Sequence, residues 1–410
     1  MPTFTKAYLG TTPLFKEQGF AFIEGSDAGG GVQSLGNEFK HYAGTITIFG
    51  NVTSTKDFHL CEGISAAPAN CVITGTLTQT NAGPQGGPSA PRGFTVSQNA
   101  TNVGTLTING ASISLFSGAM IGDNQSSGSA GTIILNSGTF ATNGGLWLSG
   151  PNSTFVQNSG TTTMTNCYIS GGGNGTTNPN PVSVLTINGG TFNISFTSDS
   201  NQSSMLFGTG ITGVSSTSTL NLNGGTLKHN HITASTPAAG RTQTNTINFN
   251  GGTLDLDKGM SRSLPAATPT GVTWNFVVKS GGAIISVAAS TTMTLAVAFS
   301  NDGTNGGLTK LGAGTLAMGS LAHSYNGNTT ISAGTITRAV TTGASTGTAT
   351  FGASSLSVSF NVSPPSGTTT FKFFPGATTN SYASLTLTGV AAGTTATYNS
   401  SNSTLSVVIP

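Results

Sequence analysis

The chain has 410 residues, a formal net charge of +2 and only 6% charged side chains, against roughly 25% in an ordinary soluble domain. That balance leaves no basic footprint for nucleic acid, and no segment of about 20 apolar residues is present to span a bilayer. The 59 glycines argue against helical interiors, and a 35% hydrophobic content set in alternating runs argues against disorder.

Residues 1–98 differ from the rest. They hold six of the eleven acidic residues (Glu17, Glu24, Asp27, Glu38, Asp57 and Glu62) and two of the three cysteines. Strand-like runs occupy Thr45 to Thr53 and Cys71 to Thr80, so this part reads as an N-terminal cap followed by early β coils. Near the start, Thr3, Phe4, Thr5, Ala7 and Leu9 form an alternating run, a candidate strand for donation to a neighbouring subunit. Cys61 and Cys71 share one loop-rich stretch and are a candidate extracellular disulfide; the alternative is that both, with Cys167, are buried thiols. Asn81 to Gly93 is a Pro/Gly-rich loop or hinge.

Residues 99–345 carry a recurring phrase. Its clearest copies are LTINGGTF (Leu185 to Phe192), LNLNGGTL (Leu220 to Leu227) and INFNGGTL (Ile247 to Leu254), with weaker copies from Leu106, Ile133, Phe155 and Val277. Each copy alternates apolar and polar residues on both sides of a Gly-rich corner, the period-2 pattern of strands with one buried face. The corners supply positive φ where a Cβ would clash. A two-residue corner is compatible with a hairpin, but the corner residues Ala111, Gly138, Gly160, Gly190, Gly225, Gly252, Gly282, Gly314 and Gly334 lie 20 to 35 residues apart. That is too long for a hairpin and too irregular for a propeller blade. It fits one coil of a β-solenoid, stable only by stacking on its neighbours. Asn109, Asn136, Asn158, Asn188, Asn223 and Asn250 recur at one corner position, as in a stacked amide ladder; turn preference alone is the other explanation.

Residues 346–410 switch to longer strand-like runs, SSLSVSF, TTTFKFF, ASLTLTG and STLSVVI, and read as a C-terminal β cap. A solenoid needs one because each end presents unpaired N–H and C=O groups.

Within Gly306 to Thr337, the residues Gly307, Leu308, Thr309, Lys310, Gly312, Gly314, Thr315, Leu316, Tyr325, Gly327, Thr329, Ile331, Ala333, Gly334 and Thr335 follow a pattern that resembles the passenger-associated repeat of autotransporters and related secreted bacterial proteins. The resemblance is specific over about thirty residues and loosens to an NGGT rhythm elsewhere. It implies an all-β chain folded as a right-handed parallel β-helix, exported, usually structural or adhesive, with no defined catalytic site. The chain departs from an autotransporter because residues 346–410 are too short for a membrane barrel. The first residues also lack the apolar core of a leader peptide.

Few residues suggest chemistry. Asp255 and Asp257 share a strand face, as a glycosidase pair or calcium site would, but a solvent-facing strand explains them. His229 and His231 are spaced for a metal without a third ligand, and a solvated face is expected. Asn301 to Gly307 has one carboxylate, too few for a calcium loop. Trp147, Trp274 and Tyr168 are able to stack on sugars, although core packing is commoner. No P-loop, Rossmann fingerprint or zinc spacing occurs, so no cofactor is expected. The expectation is a non-enzymatic extracellular structural protein, its partner being itself in a filament or surface layer formed by strand exchange or end-to-end stacking. The alternatives are an adhesin for glycans or the cell envelope, and a polysaccharide-active enzyme or phage tail spike.

Overall fold

The computed structural model describes residues 21–24, 32–35, 39–41, 44–49, 51–54, 58–60, 69–80, 94–97, 103–122, 130–170, 181–195, 205–208, 215–229, 231–256, 260–342, 345–380 and 382–410. Among them the secondary structure is entirely β, with no helix. Two compact units are distinguished. The first comprises Met1–Asn221, Ile232–Asn245 and Thr268–Thr273; the second comprises Leu222–His231, Thr246–Ala267 and Trp274–Pro410.

In the first unit each repeat visits three rows of parallel strands in turn. Strands of the first row include Gly44–Phe49, Ala69–Ile73, the start of Val103–Leu115, the start of Ala130–Thr142, Ser153–Gln157 and Val182–Ile187. The second row runs through Asn51–Ser54, Thr76–Gln79, the ends of the two long strands, Thr161–Met164 and Thr191–Ile194. The third row runs from Phe39–His41 to Ile232–Ala234 through Phe58–Leu60, Phe94–Val96, Ala119–Ile121, Gly145–Leu148, Asn166–Ile169 and Met205–Phe207. The strands of residues 21–80 thus lie in the same rows as the later repeats.

Alternation decides which side chains are inside. In Val182–Ile187 every second residue is buried, and Leu106, Ile133, Phe155 and Leu185 occupy one register position with no exposed surface. Aromatic rings stack along this interior: Phe58 on Phe94 at 5.3 Å, Phe94 against Phe140 at 6.4 Å, Phe140 against Phe155 at 5.7 Å and Phe155 against Phe192 at 5.8 Å. Phe58 and Phe94 meet because parallel, in-register strands place equivalent positions one above another, about 4.8 Å apart; the other three contacts are edge-to-face between rows across the interior.

The corner between the first and second rows explains the glycines. Gly138 has φ +98° and a Cβ there would stand 2.0 Å from the Ala111 carbonyl oxygen; Gly160 repeats this against Gly138 at 2.3 Å. Backbone lies directly on backbone, which only a residue without Cβ permits.

Within the second unit the strands also lie in three parallel rows: Phe276, Val277 and Val278 with Phe299–Asn301 in the first; Thr226–Lys228, Thr253–Leu256, Ala283–Val287, Leu308–Leu311 and Thr329–Ile331 in the second; and Arg262–Leu264, Thr292–Leu295, Thr315–Gly319 and Thr335–Thr342 in the third. Pairing then turns antiparallel: Thr335–Thr342 with Ser345–Phe351, and Ser345–Phe351 with Ser355–Val362. Ser384–Thr388 joins the outer side of Ser355–Val362 in parallel. A separate antiparallel sheet holds Gly367–Lys372, Thr404–Ile409 and Thr395–Asn399.

Candidate functional site

The corner asparagines of the first unit are joined side chain to side chain. Asn136 Nδ2 donates to Asn109 Oδ1 at 2.8 Å, Asn158 to Asn136 at 2.7 Å, and Asn188 to Asn158 at 2.8 Å. In the second unit Asn250 donates to Asn223 at 3.4 Å and accepts the Gly281 N–H at 2.9 Å. Each amide donates to one neighbour and accepts from the next, so the corner is a hydrogen-bonded file on the surface.

The outward column of the third row mixes apolar and polar residues. Its successive residues are His59, Thr95, Met120, Trp147, Tyr168, Leu206 and Thr233. His59, Thr95 and Met120 are buried, with His59 Nδ1 and Thr95 Oγ1 sharing a hydrogen bond of 2.8 Å; the four that follow are half-buried. Trp147 leans back over two glycines: a Cβ on Gly118 would stand 2.2 Å from its Cζ3, and one on Gly145 2.8 Å from its Cη2. Its ring stacks on Tyr168 with centroids 5.0 Å apart and planes within 10°. This geometry is an offset face-to-face stack. Each ring presents a face to the other, whereas a sugar platform leaves its faces free. Burial, and secondarily Cys167, raises the Tyr168 pKa. The Cys167 thiol, fully buried beside it, is pushed up by burial alone.

The remaining sequence candidates are placed as follows. His229 is fully buried rather than solvated, its Nε2 2.8 Å from the His231 carbonyl oxygen. Burial, then Arg262, lowers the His231 pKa. Among the described residues no three His, Cys, Asp or Glu side chains gather in one place. Asp255 lies 3.6 Å from Lys228, its neighbour in register; Asp257 is outside the described residues. Trp274 is buried in the core against Phe276. Asp302 accepts from Thr304 and, at 3.0 Å, from Lys279, which together lower its carboxyl to about 2, so that loop is a tight turn. Cys71 is buried on the inner face of its strand; Cys61 is outside the described residues, as are Thr3, Phe4, Thr5, Ala7 and Leu9.

A further group of residues, unmarked in the sequence reading, closes the parallel rows of the second unit. In the first row, His323 Nδ1 accepts the Phe299 N–H at 3.0 Å, the Ser324 N–H donates to the Phe299 carbonyl at 2.8 Å, and Asn301 Nδ2 donates to the Ser324 carbonyl. In the second row, the segment 377–380 lies along Thr329–Ile331. Thr329 donates to the Ala377 carbonyl at 2.8 Å and Thr379 donates to the Thr329 carbonyl at 3.0 Å. The Asn380 side chain then mimics a peptide group, accepting the Ile331 N–H and donating to the Ile331 carbonyl, both at 2.7 Å. In the third row the antiparallel strand Ser345–Phe351 covers Thr335–Thr342.

Lys310 lies just inside this closure with its side chain fully buried. Its Nζ donates to the carbonyls of Leu311 at 2.6 Å, Gly312 at 2.8 Å and Ala333 at 3.3 Å. Burial lowers its ammonium to about 8, while three carbonyls at the corner favour the charged form.

No protein-family model, no curated protein and no solved structure matches the chain. Among the described residues no helix is long and apolar enough to cross a membrane.

Proposed function

We propose that this chain is an exported, non-enzymatic scaffold whose three rows wind as a right-handed parallel β-helix of the autotransporter-passenger type, and that it associates with its own copies at a cell surface. The observation that carries the reading is the edge strand Ser384–Thr388. It is hydrogen-bonded to Ser355–Val362 on one side and stands last in its sheet. None of its residues is charged and none is fully buried. Thr395–Asn399, at an edge of the smaller sheet, has the same character. Natural edges are usually blunted by Lys, Pro or a bulge, and these two carry none of those devices.

The row closure bears on the route of association. With the final rungs of the second unit met by His323, Asn380 and the antiparallel strand, stacking another copy end on end there would require undoing those bonds. Association at the uncharged edges requires no such loss. Glycan recognition is less well supported, because Trp147 and Tyr168 already stack on each other.

The test is sedimentation velocity with negative-stain electron microscopy at neutral pH, on the wild-type protein and on the double variant Thr386→Lys, Thr397→Lys. Both positions are exposed and on the two edges. Concentration-dependent association of the wild type, abolished in the variant, is the expected result. A monodisperse wild-type monomer, or association unchanged by the two lysines, overturns the proposal.

A further inference from the structure

We propose that His323 is an acid-sensitive latch on the first-row closure: its neutral ring holds the last strand of that row, and protonation releases it. The inference stands apart from self-association.

The geometry is specific. Phe299–Asn301 is the last strand of the first row and pairs with Phe276, Val277 and Val278 on one side. On the other side the Phe299 N–H has one acceptor, His323 Nδ1 at 3.0 Å. A backbone amide cannot act as an acceptor, so this bond requires a lone pair on Nδ1 and assigns the neutral ring with its proton on Nε2. The ring is seated in the core end, 5.6 Å from the Phe299 ring and 6.4 Å from that of Tyr325. A proton on Nδ1 would turn an acceptor into a donor facing a donor, and the closure at Phe299 is lost.

The surrounding charges reinforce this. Arg338, on strand Thr335–Thr342, donates Nη1 to the carbonyls of Met318 at 3.3 Å and Leu321 at 3.0 Å, so a cation flanks the ring on the same loop. Tyr325 shares that loop, and its phenol is bound to Thr329 Oγ1 at 2.6 Å. At the far end of the Phe299–Asn301 strand, Asp302 is engaged by Lys279 at 3.0 Å. No carboxylate is placed to stabilise an imidazolium among these neighbours; the Met318 carbonyl alone favours the proton. Burial first, and Arg338 second, lower the ring from 6.5 to about 4.

The sign follows. The folded-state value is depressed, so below about 6.5 the unfolded chain takes up the proton first. The contribution to folding is complete above pH 6.5 and is lost as pH falls from 6.5 to about 4. The loss over that window reaches about 300-fold in the local closing equilibrium.

The experiment is amide exchange at Phe299, with the histidine ring resonances followed on the same sample from pH 7 to 3. One imidazole is expected to titrate near 4, and the protection factor of the Phe299 amide to fall about tenfold per pH unit between 6.5 and 4 and to level off below that. In His323→Gln, whose side-chain oxygen accepts without titrating, protection should be independent of pH over the same range. Titration of His323 near 6.5, Phe299 protection unchanged between pH 6.5 and 4, or the same acid loss in His323→Gln each overturn the latch. The ring titration of the unaltered protein decides the matter if the variant fails to fold.

Discussion

Asn245→Ser should stabilise the protein. Asn245 has no exposed surface, and neither atom of its amide has a hydrogen-bond partner within the protein. Counting back from the corner asparagine, the same inward position is Gly104, Gly131, Ser153, Ser183 and Ser218 in earlier repeats. At Gly131 there is no room, since a Cβ would stand 2.8 Å from Ile121 Cγ2. At the three serines the hydroxyl reaches a third-row carbonyl: Ser153 donates to Ile121 at 2.9 Å, Ser183 to Leu148 at 3.2 Å and Ser218 to Ile169 at 3.0 Å. The next carbonyl in that series is Phe207, which accepts the Ser235 N–H at 3.1 Å just as Ile121 accepts that of Ser149 at 2.9 Å. An unsatisfied buried amide costs about 1–3 kcal/mol, and a new hydroxyl bond returns about 1 kcal/mol. Shortening the side chain leaves about 25 Å³, worth roughly 0.6 kcal/mol. The balance favours serine by about 2 kcal/mol. Urea unfolding followed by far-ultraviolet circular dichroism measures it, with the m-value checked for constancy because stacked repeats can unfold in parts. A loss of about 1 kcal/mol or more in Asn245→Ser would show that the amide is held after all and would refute the reasoning.

Three other substitutions test other parts of the fold. Asn158→Ala removes two amide–amide bonds of the corner file and Asn109→Ala one; the unfolding free energy from urea titration should fall by about 1–2 kcal/mol and about half of that, because the groups left behind can reach water. Gly138→Ala combines φ +98° with a 2.0 Å approach to a carbonyl and should cost about 3 kcal/mol or more, whereas Gly240→Ala, with φ +76° and open space, should cost only about 1 kcal/mol; paired thermal melts distinguish the two. Lys310→Met keeps the volume but strands three carbonyls, and chemical denaturation should register a loss of about 2 kcal/mol.

Much of the interior was legible because its rule is local. Alternation about Leu185 and Ile187 separates inner from outer residues, and the positive-φ glycines mark the corners. The same rule, applied strictly, also places residues that polarity misassigns. Counting from Leu227 puts His229 inside, and counting from Leu308 puts Lys310 inside; both are fully buried. Trp274 likewise follows from Phe276, while Trp147, between Leu146 and Leu148, is directed outward. Polarity suggested solvent for His229, but register governs side-chain direction within a strand and a polar residue must then find its partners in place. What no local pattern conveys is pairing across sequence distance. Asn380 meets Ile331 across 49 residues, and His323 meets Phe299 across 24. Neither stands in a motif, because each acts as a single acceptor or amide in a place where a regular strand would have supplied a peptide group.

That substitution of side chains for peptides connects the fold to its proposed role. A parallel row grows by presenting a rung of N–H and C=O groups to the next rung, so each repeat both needs a neighbour and offers a site for one. Extension by a further copy of the chain would use the same bonds as extension by a further repeat. Asn380 satisfies both backbone groups of Ile331 from its side chain, whereas at Phe299 the His323 ring takes the N–H and the Ser324 N–H meets the carbonyl. Growth of the parallel rows is therefore halted in the second unit by groups that match the last rung without reproducing it. Of the two uncharged edge strands, Ser384–Thr388 ends the same sheet that carries the third row of the second unit, and Thr395–Asn399 lies in the separate antiparallel sheet. The proposed association would lengthen the third-row sheet at Ser384–Thr388 and leave the rows unextended at Thr395–Asn399. With the first two rows of the second unit closed at Phe299 and Ile331 and the third row's sheet ending in the uncharged strand Ser384–Thr388, the proposed association would use sheet edges, and the length of the particles seen in the microscope distinguishes bounded from axial growth.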